Sequence, residues 1–501
     1  MLRNIGSNWV LTVLTVAVSY VMTPFVVRTF GESGYGTWTL VNAMTGYLGL
    51  VALGVPMACL RYVAQHVSLG EWTKANQTIG TCAALYLMLG VGALLIGGGL
   101  WWAFTFYDIP PSFRGDAYVA FGLMVFYIAF SFVSYLPEGI MYAHHDFVPR
   151  NLVRIAGLFL RFGLTIGFLG QHPSLTFLAA IQLVGLAFDF FLSVILIRIL
   201  FTNIRIDLRL FDRATLRRVL GFSLFVLLLA AGGRMSFETD ALVIGALIGV
   251  APIASYAFAN SLVVYVLDFV VGIAAVVSPM ATALSSQARG DELREMFLKW
   301  SKASLSLAIA VGLFLLVLGP RFIGLWIGAE QEGPSGAVLQ VLTLSCFIFL
   351  PARGVALPIL MGLGKARLPA VAFLIAGVVN LLLSAALARP LGLVGVAIGT
   401  AVPNAVFAGV LIAATCRELK LTMLDYTRYV VPRAALGGVP IFALLVWFKV
   451  VLGVDGFAGL VAAGIAFVLA FGIIWVLFVY RDDPYVDIRS PLLRLRVWSR
   501  A

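Results

Sequence analysis

Apolar residues in this chain run in long blocks broken by short polar or basic stretches, with neither a soluble helix's one-sided stripe nor a half-buried strand's alternation. A hydrocarbon layer about 30 Å thick is crossed by roughly 20 residues of helix. The pattern predicts fourteen such spans, near 7–28, 37–66, 78–104, 117–143, 155–170, 174–201, 217–247, 253–285, 299–319, 336–362, 368–389, 392–419, 429–452 and 457–480. Several exceed the minimum, which implies tilt or extension past the lipid. The fifth is short. The first is a full span with no small-residue cleavage pattern behind it, so a cleavable signal peptide is not expected.

The spans also repeat. Adding 219 to the first six reproduces the seventh to twelfth to within a few residues, apart from two starts displaced by six to nine. Six spans restore the starting side of the membrane, so the two units are parallel repeats, and a cavity between them near the midplane is expected. The expected organisation is an all-α integral membrane protein: a six-helix lobe over 1–201, a basic linker at 202–218, a second six-helix lobe over 219–420, two additional helices within 421–480 and a basic tail at 481–501. The linker reads as an interfacial amphipathic helix.

Composition agrees with the pattern. The 501 residues are 61% hydrophobic and 11% charged, with a mean hydropathy of +1.03. A soluble domain carries about 25% charge. The net charge of +11 would suggest nucleic acid in a soluble protein, but its distribution gives another meaning. Twenty-six basic residues fall in the termini and alternate loops, five in the opposite loops and three inside spans. By the positive-inside rule both termini are cytoplasmic, and the charge is an orientation signal with no nucleic-acid partner implied. The four cysteines lie in apolar runs without metal spacing.

No extramembrane stretch exceeds about 20 residues, which leaves no room for a soluble catalytic domain, and no Walker A, HExxH or GxSxG pattern occurs. His144 and His145, adjacent at a helix end, read as a solvated loop. No enzyme activity, resident cofactor or metal is expected.

Local motifs then suggest a family. Thr23-Pro24-Phe25-Val26-Val27-Arg28-Thr29-Phe30-Gly31, Gly34-Tyr35-Gly36-Thr37-Trp38, Leu53-Gly54-Val55-Pro56 and Arg61-Tyr62-Val63-Ala64 resemble the opening of bacterial polysaccharide-biosynthesis flippases. In the second repeat, Asp240-Ala241-Leu242-Val243-Ile244-Gly245 with Tyr256-Ala257 resembles the matching segment. These oligosaccharide flippases, O-antigen and lipid II flippases among them, belong to the multidrug/oligosaccharidyl-lipid/polysaccharide exporter superfamily. The resemblance implies two six-helix lobes with two extra helices in a bacterial cytoplasmic membrane. It also implies translocation of an undecaprenyl-diphosphate-linked oligosaccharide, with membrane lipids and other glycan-assembly proteins as partners.

Charges inside a bilayer are costly and therefore candidates for function. Arg161, Arg234 and Arg353 lie within spans, and each guanidinium could grip a diphosphate. Arg28 and Arg61 stand near span ends within the family-like stretches, where snorkelling to headgroups is the competing reading. The 219-residue offset sets Arg161 opposite Asn380. The acids Asp189, Glu238, Asp240 and Asp268 are candidates for H⁺ or Na⁺ coupling, Asp268 foremost. Arg234 and Glu238 stand four apart on one helix face, so a local ion pair competes with a substrate role. A cation-coupled drug antiporter and a non-transporting scaffold remain alternatives, although the first span holds no acid to bind a cationic drug.

Overall fold

A computed structural model describes residues 2–52, 54–143, 147–454 and 456–486, with side chains described except at 2–5, 9, 147, 221–226, 268–271 and 275. His144, His145 and residues 487–501 lie outside the described residues, as does the side chain of Asp268.

All regular structure among the described residues is helical. In chain order the α-helices are α1 (Leu2–Gly46), α2 (Val55–Ser68), α3 (Trp72–Phe104), α4 (Pro111–Ala143), α5 (Phe147–Leu164), α6 (Leu175–Leu200), α7 (Arg213–Phe237), α8 (Thr239–Leu247) and α9 (Pro252–Ser286). They continue as α10 (Gly290–Val317), α11 (Gly319–Trp326), α12 (Pro334–Pro351), α13 (Leu357–Gly362), α14 (Arg367–Glu418), α15 (Met423–Val430), α16 (Pro432–Trp447) and α17 (Phe457–Ile474).

Eleven helical segments among the described residues are long and apolar enough to cross a membrane, which makes this a multi-pass, all-α membrane protein. Two of the eleven are breaks in disguise. α1 leaves helical geometry at Gly31 (φ 67°) and α14 at Gly392 (φ 59°), in the left-handed region that residues with a Cβ disfavour. Divided there, the eleven become thirteen, and α7 with α8 occupies the place of the seventh expected span. A proline stands beside only the second of these breaks, Pro390 lying two residues before Gly392. Pro24, Pro137, Pro279 and Pro403 lie within continuous helices.

Two sequence expectations need correction. The second span is not one helix over 37–66: α1 ends at Gly46, a 3₁₀ stretch covers Tyr47–Ala52, and α2 restarts after Gly54. The stretch 202–218 is not an amphipathic helix. It holds only a 3₁₀ turn at Leu208–Leu210 before α7 begins at Arg213. The reason is local: the Asp207 and Asp212 carboxylates accept the backbone N–H groups of Arg209 and Thr215, and such side-chain caps compete with helix continuation.

The chain divides into two compact units, Met1–Ala254 and Ser255–Ala501. In the first, α4 packs against α3, α6, α2 and α1. Its core is aromatic, with Phe104 stacked on Phe121 at 4.9 Å between ring centroids. Asp116 of α4 accepts the Thr176 N–H at 3.0 Å and the Ser174 hydroxyl at 2.8 Å, placing a carboxylate at the positive end of α6. In the second unit, α12 packs on α10 and α14, and α16 joins α10 to α17. Phe373 and Phe407 stack at 4.5 Å between α14's two halves.

Candidate functional site

The first unit gathers charge where α4, α5 and α6 meet. Glu138 of α4 accepts two bonds from one nitrogen of Arg154, at 2.8 and 3.0 Å, and stands 3.5 Å from Arg150. Two turns further along α5, Arg161 donates to Asp189 of α6 at 3.0 Å. Three guanidiniums therefore face two carboxylates inside an otherwise apolar bundle. Ion pairs held away from water need additional hydrogen bonds to offset the lost hydration. Two atoms here lack them among the described residues: Nε of Arg150 and Oδ1 of Asp189, both buried. Ser134, Glu138, Arg150, Arg154, Asp189 and Ser193 border a cavity of about 30 Å³, large enough to admit an ordered water.

Small residues make this geometry possible. A Cβ on Gly157 of α5 would lie 2.7 Å from Cγ of Asp189, and one on Gly185 of α6 would lie 2.7 Å from Cδ of Arg161. Each helix thus offers a glycine four residues before its own charged residue, and each charge lies over the other helix's glycine. The arrangement is reciprocal and depends on the helices' i, i+4 spacing.

A second pair lies where α7 passes into α8. Arg234 bonds Glu238, and Tyr47 shares a hydrogen bond with Thr239. It too rests on glycine. A Cβ at Gly46 would come within 2.7 Å of Oε2 of Glu238 and 3.0 Å of Nη1 of Arg234. That Glu238 oxygen is buried and has no hydrogen-bond partner among the described residues. Tyr135 of α4 lies within electrostatic reach of Glu138, Arg154 and Arg234, and so stands near both clusters.

The second unit treats its intramembrane arginine differently. Arg353 sits in a π-helical turn, Ala352–Ala356, between α12 and α13, a local irregularity often found at functional sites. Its guanidinium lies 5.2 Å from the Phe373 ring centroid. Among the described residues it has no ion-pair partner. Asn380 donates to Thr400 at 2.9 Å, and Thr400 also meets the Tyr256 hydroxyl at 3.3 Å. That is a buried polar thread within the unit, with Asn380 1% exposed.

The remaining sequence candidates are dispersed. Arg28 and Arg61 are exposed, Arg61 lying over the neighbouring Tyr62 ring at 5.9 Å. Asp240 is buried at the start of α8. Sequence reasoning missed Arg150 and Arg154 as parts of a charged cluster, counting them only as loop charges. It also missed Tyr47 and the glycines that seat the pairs. The signal was present in the spacing: Gly157 precedes Arg161 by four residues, as Gly185 precedes Asp189.

A further missed pair lies in the second unit. Lys302 of α10 bonds Asp483, which follows α17, and donates to the Val479 carbonyl at 3.1 Å. Asp483 also accepts the Tyr429 hydroxyl at 2.8 Å. The Tyr429 and Tyr480 rings each stand 4.9 Å from the Lys302 ammonium. Neither charged side chain is more than 2% exposed.

Known proteins share this architecture. An uncharacterized membrane protein of Bacillus subtilis (strain 168), EpsK, is 21% identical over 490 residues, covering 92% of each chain. The solved structure of the lipid II flippase MurJ in an inward closed conformation matches with a TM-score of 0.69 at 12% identity, over 94% of this chain and 99% of that one. An inward-facing multidrug resistance MATE family transporter of the MOP superfamily matches with a TM-score of 0.67 at 17% identity, over 82% of this chain and 98% of that one. At these identities the two structures establish a shared fold. Residues 1–285 match the polysaccharide biosynthesis protein family across more than half of the chain, and the protein belongs to that family.

Proposed function

We propose that this protein is a flippase that carries an undecaprenyl-diphosphate-linked oligosaccharide from the cytoplasmic to the outer leaflet by alternating access, in the assembly of a cell-surface polysaccharide. The observation that carries this reading is the set of guanidiniums kept among the helices of a polysaccharide biosynthesis family member: Arg154, Arg161 and Arg353 within helices long and apolar enough to cross a membrane, and Arg234 at the end of α7. A glycan and a diphosphate cannot cross hydrocarbon unaided, because their polar groups lose water without replacement. Arginine matches the geometry of phosphate oxygens and keeps its charge in a poorly hydrated setting.

The charge distribution along the sequence supports a bacterial cytoplasmic membrane location with both termini inside. With the cytoplasm negative, outward movement of an anion is favoured by about 2.3 kcal/mol per charge per 100 mV. H⁺ or Na⁺ coupling would add to this bias. Asp189 and Glu238 support that role because each has one carboxylate oxygen left over from its arginine bond.

The test is transport by the purified protein in vesicles loaded with fluorescent lipid-linked oligosaccharide. Accelerated loss of fluorescence to an external quencher is expected. Transport absent in vesicles, with glycan export intact in a deletion strain, would overturn the reading. The shared fold with a MATE family transporter keeps a drug-antiporter reading in view. A drug-sensitivity assay separates the two, since a flippase leaves drug tolerance unchanged.

A further inference from the structure

The segment joining α6 to α7 is not a loose connection. Asn76 of α3 donates to the Asn203 carbonyl at 3.0 Å and accepts the Arg205 N–H at 2.9 Å. Thr81, one turn further on, accepts the Asp212 N–H at 2.9 Å. Between them, Gly80 lets the Asp207 carbonyl approach so closely that any Cβ at that position would collide with it. Three consecutive points along α3 therefore hold the backbone of this segment in place.

What it presents outward is unusual for a pinned stretch. Arg198, Arg205, Arg209, Arg213, Arg217 and Arg218 are all exposed, and none forms an ion pair among the described residues. Interleaved with them are exposed apolar side chains: Ile206 at 44%, Leu208 at 49% and Phe211 at 39%. The two acids of the segment bond backbone N–H groups at their own turns and form no ion pair with these arginines among the described residues, and six arginines against two acids leave the surface cationic. Hydrogen bonds from the Thr215 side chain and backbone hold the Asp212 carboxyl below the usual range, so it stays ionised. Cations beside apolar groups, continuous with membrane-spanning helices at both ends, match a bilayer surface with phosphate headgroups above acyl chains.

We propose that residues 198–218 form a docking surface for anionic phospholipid headgroups, with Arg205, Arg209 and Arg213 gripping the phosphodiester and Ile206, Leu208 and Phe211 entering the acyl boundary. This surface is distinct from the intramembrane arginines and does not depend on the transport reading. Pinning to α3 favours the site: the backbone that carries the arginines is fixed before the lipid arrives, so less backbone ordering is lost on binding.

The experiment uses the full chain in nanodiscs of phosphatidylcholine and phosphatidylglycerol in equal parts. Phosphatidylglycerol retained after mild detergent extraction is counted by native mass spectrometry. Wild type is expected to retain phosphatidylglycerol over phosphatidylcholine, and the triple variant R205Q/R209Q/R213Q to lose that preference, by roughly fivefold for each arginine removed. A control, R367Q/R417Q/R428Q, removes equal charge elsewhere and is expected to keep it. Equal retention by wild type and the first triple variant would overturn the proposal, as would equal loss in the control, which would indicate diffuse charge attraction. Melting temperature in pure phosphatidylcholine discs, expected to be the same for all three proteins, separates lipid binding from misfolding.

Discussion

Asp189 of α6 lies directly over Gly157 of α5, close enough that a single methyl group at position 157 would occupy the carboxylate's place. The Arg161–Asp189 pair is therefore built on the absence of a side chain. Gly157→Ala forces Asp189 away from Arg161, and Gly185→Ala does the same to Arg161 from the other helix. Overpacking of this kind costs about 1–3 kcal/mol. Both variants should melt at lower temperature in detergent, and transport should fall in both. Alanine at Gly163, which has open space around it, is the comparison and should change neither.

The two members of that pair are not equivalent on removal. Arg161→Gln leaves Asp189 partly buried and without its hydrogen-bonded cation, and breaking the pair from one side should cost up to about 3 kcal/mol, the low end of the range for buried pairs. Asp189→Asn added to Arg161→Gln removes the stranded charge and should recover much of the loss. A double-mutant cycle on melting free energy checks this, with a coupling of at least 1 kcal/mol expected for groups in direct contact. Strictly additive single effects would show that the two side chains do not act as a pair.

These residues also show which parts of the architecture a sequence exposes. Arg161, Asp189, Arg234 and Glu238 stand out because charge is rare in apolar runs, and the Arg234–Glu238 pairing follows from a separation of four. The Arg161–Asp189 pairing does not follow, because the two are 28 positions apart on different helices and only packing brings them together. Lys302 and Asp483 are 181 residues apart, and each by itself reads as an ordinary charge near the end of a span. The spans were legible from hydropathy, and the breaks at Gly31 and Gly392 fall at the boundaries read between the first and second and between the eleventh and twelfth of them, whereas the 3₁₀ interruption at Tyr47–Ala52 was not legible. Apolar blocks report burial in lipid and carry no mark of a backbone turn. The segment after α6 was misread for a related reason: its arginines and apolar residues fit a helix, but Asp207 and Asp212 spend their side chains on the backbone.

The Lys302–Asp483 pair closes the chain's last described turn onto α10. Lys302→Met strands a carboxylate that is fully buried and should lower stability by about 3–5 kcal/mol. Adding Asp483→Leu should restore a large part of it. The pH dependence has a definite sign. Burial acts to raise the Asp483 carboxyl, but hydrogen bonds from Lys302, the Tyr485 backbone and Tyr429 outweigh it and hold the group below its ordinary value. A depressed carboxylate contributes stability that is fully present above the unfolded value, about 3.9, and is lost as pH falls through the folded one. Wild-type melting temperature should therefore be insensitive to this pair between about pH 5 and 8 and decline below about pH 4. In Asp483→Asn that component of the decline should be missing.

Arg353 gives the sharpest separation of function from structure. It is an intramembrane cation in a π-helical turn, lying over Phe373 and without an ion-pair partner among the described residues. A cation kept there for stability would need a counter-charge, since the face of one ring supplies only about 1–2 kcal/mol. A cation kept for an anionic substrate needs none until the substrate arrives. Arg353→Gln should therefore leave the melting temperature unchanged or raise it, while transport of lipid-linked oligosaccharide falls by at least about tenfold, equivalent to one charge-assisted hydrogen bond. Arg353→Lys keeps the charge but loses the planar fork, and should fall between the two. If Arg353→Gln melts well below wild type and the surviving folded fraction transports at the normal rate, the residue is structural, and the diphosphate must be held by the paired arginines of the first unit.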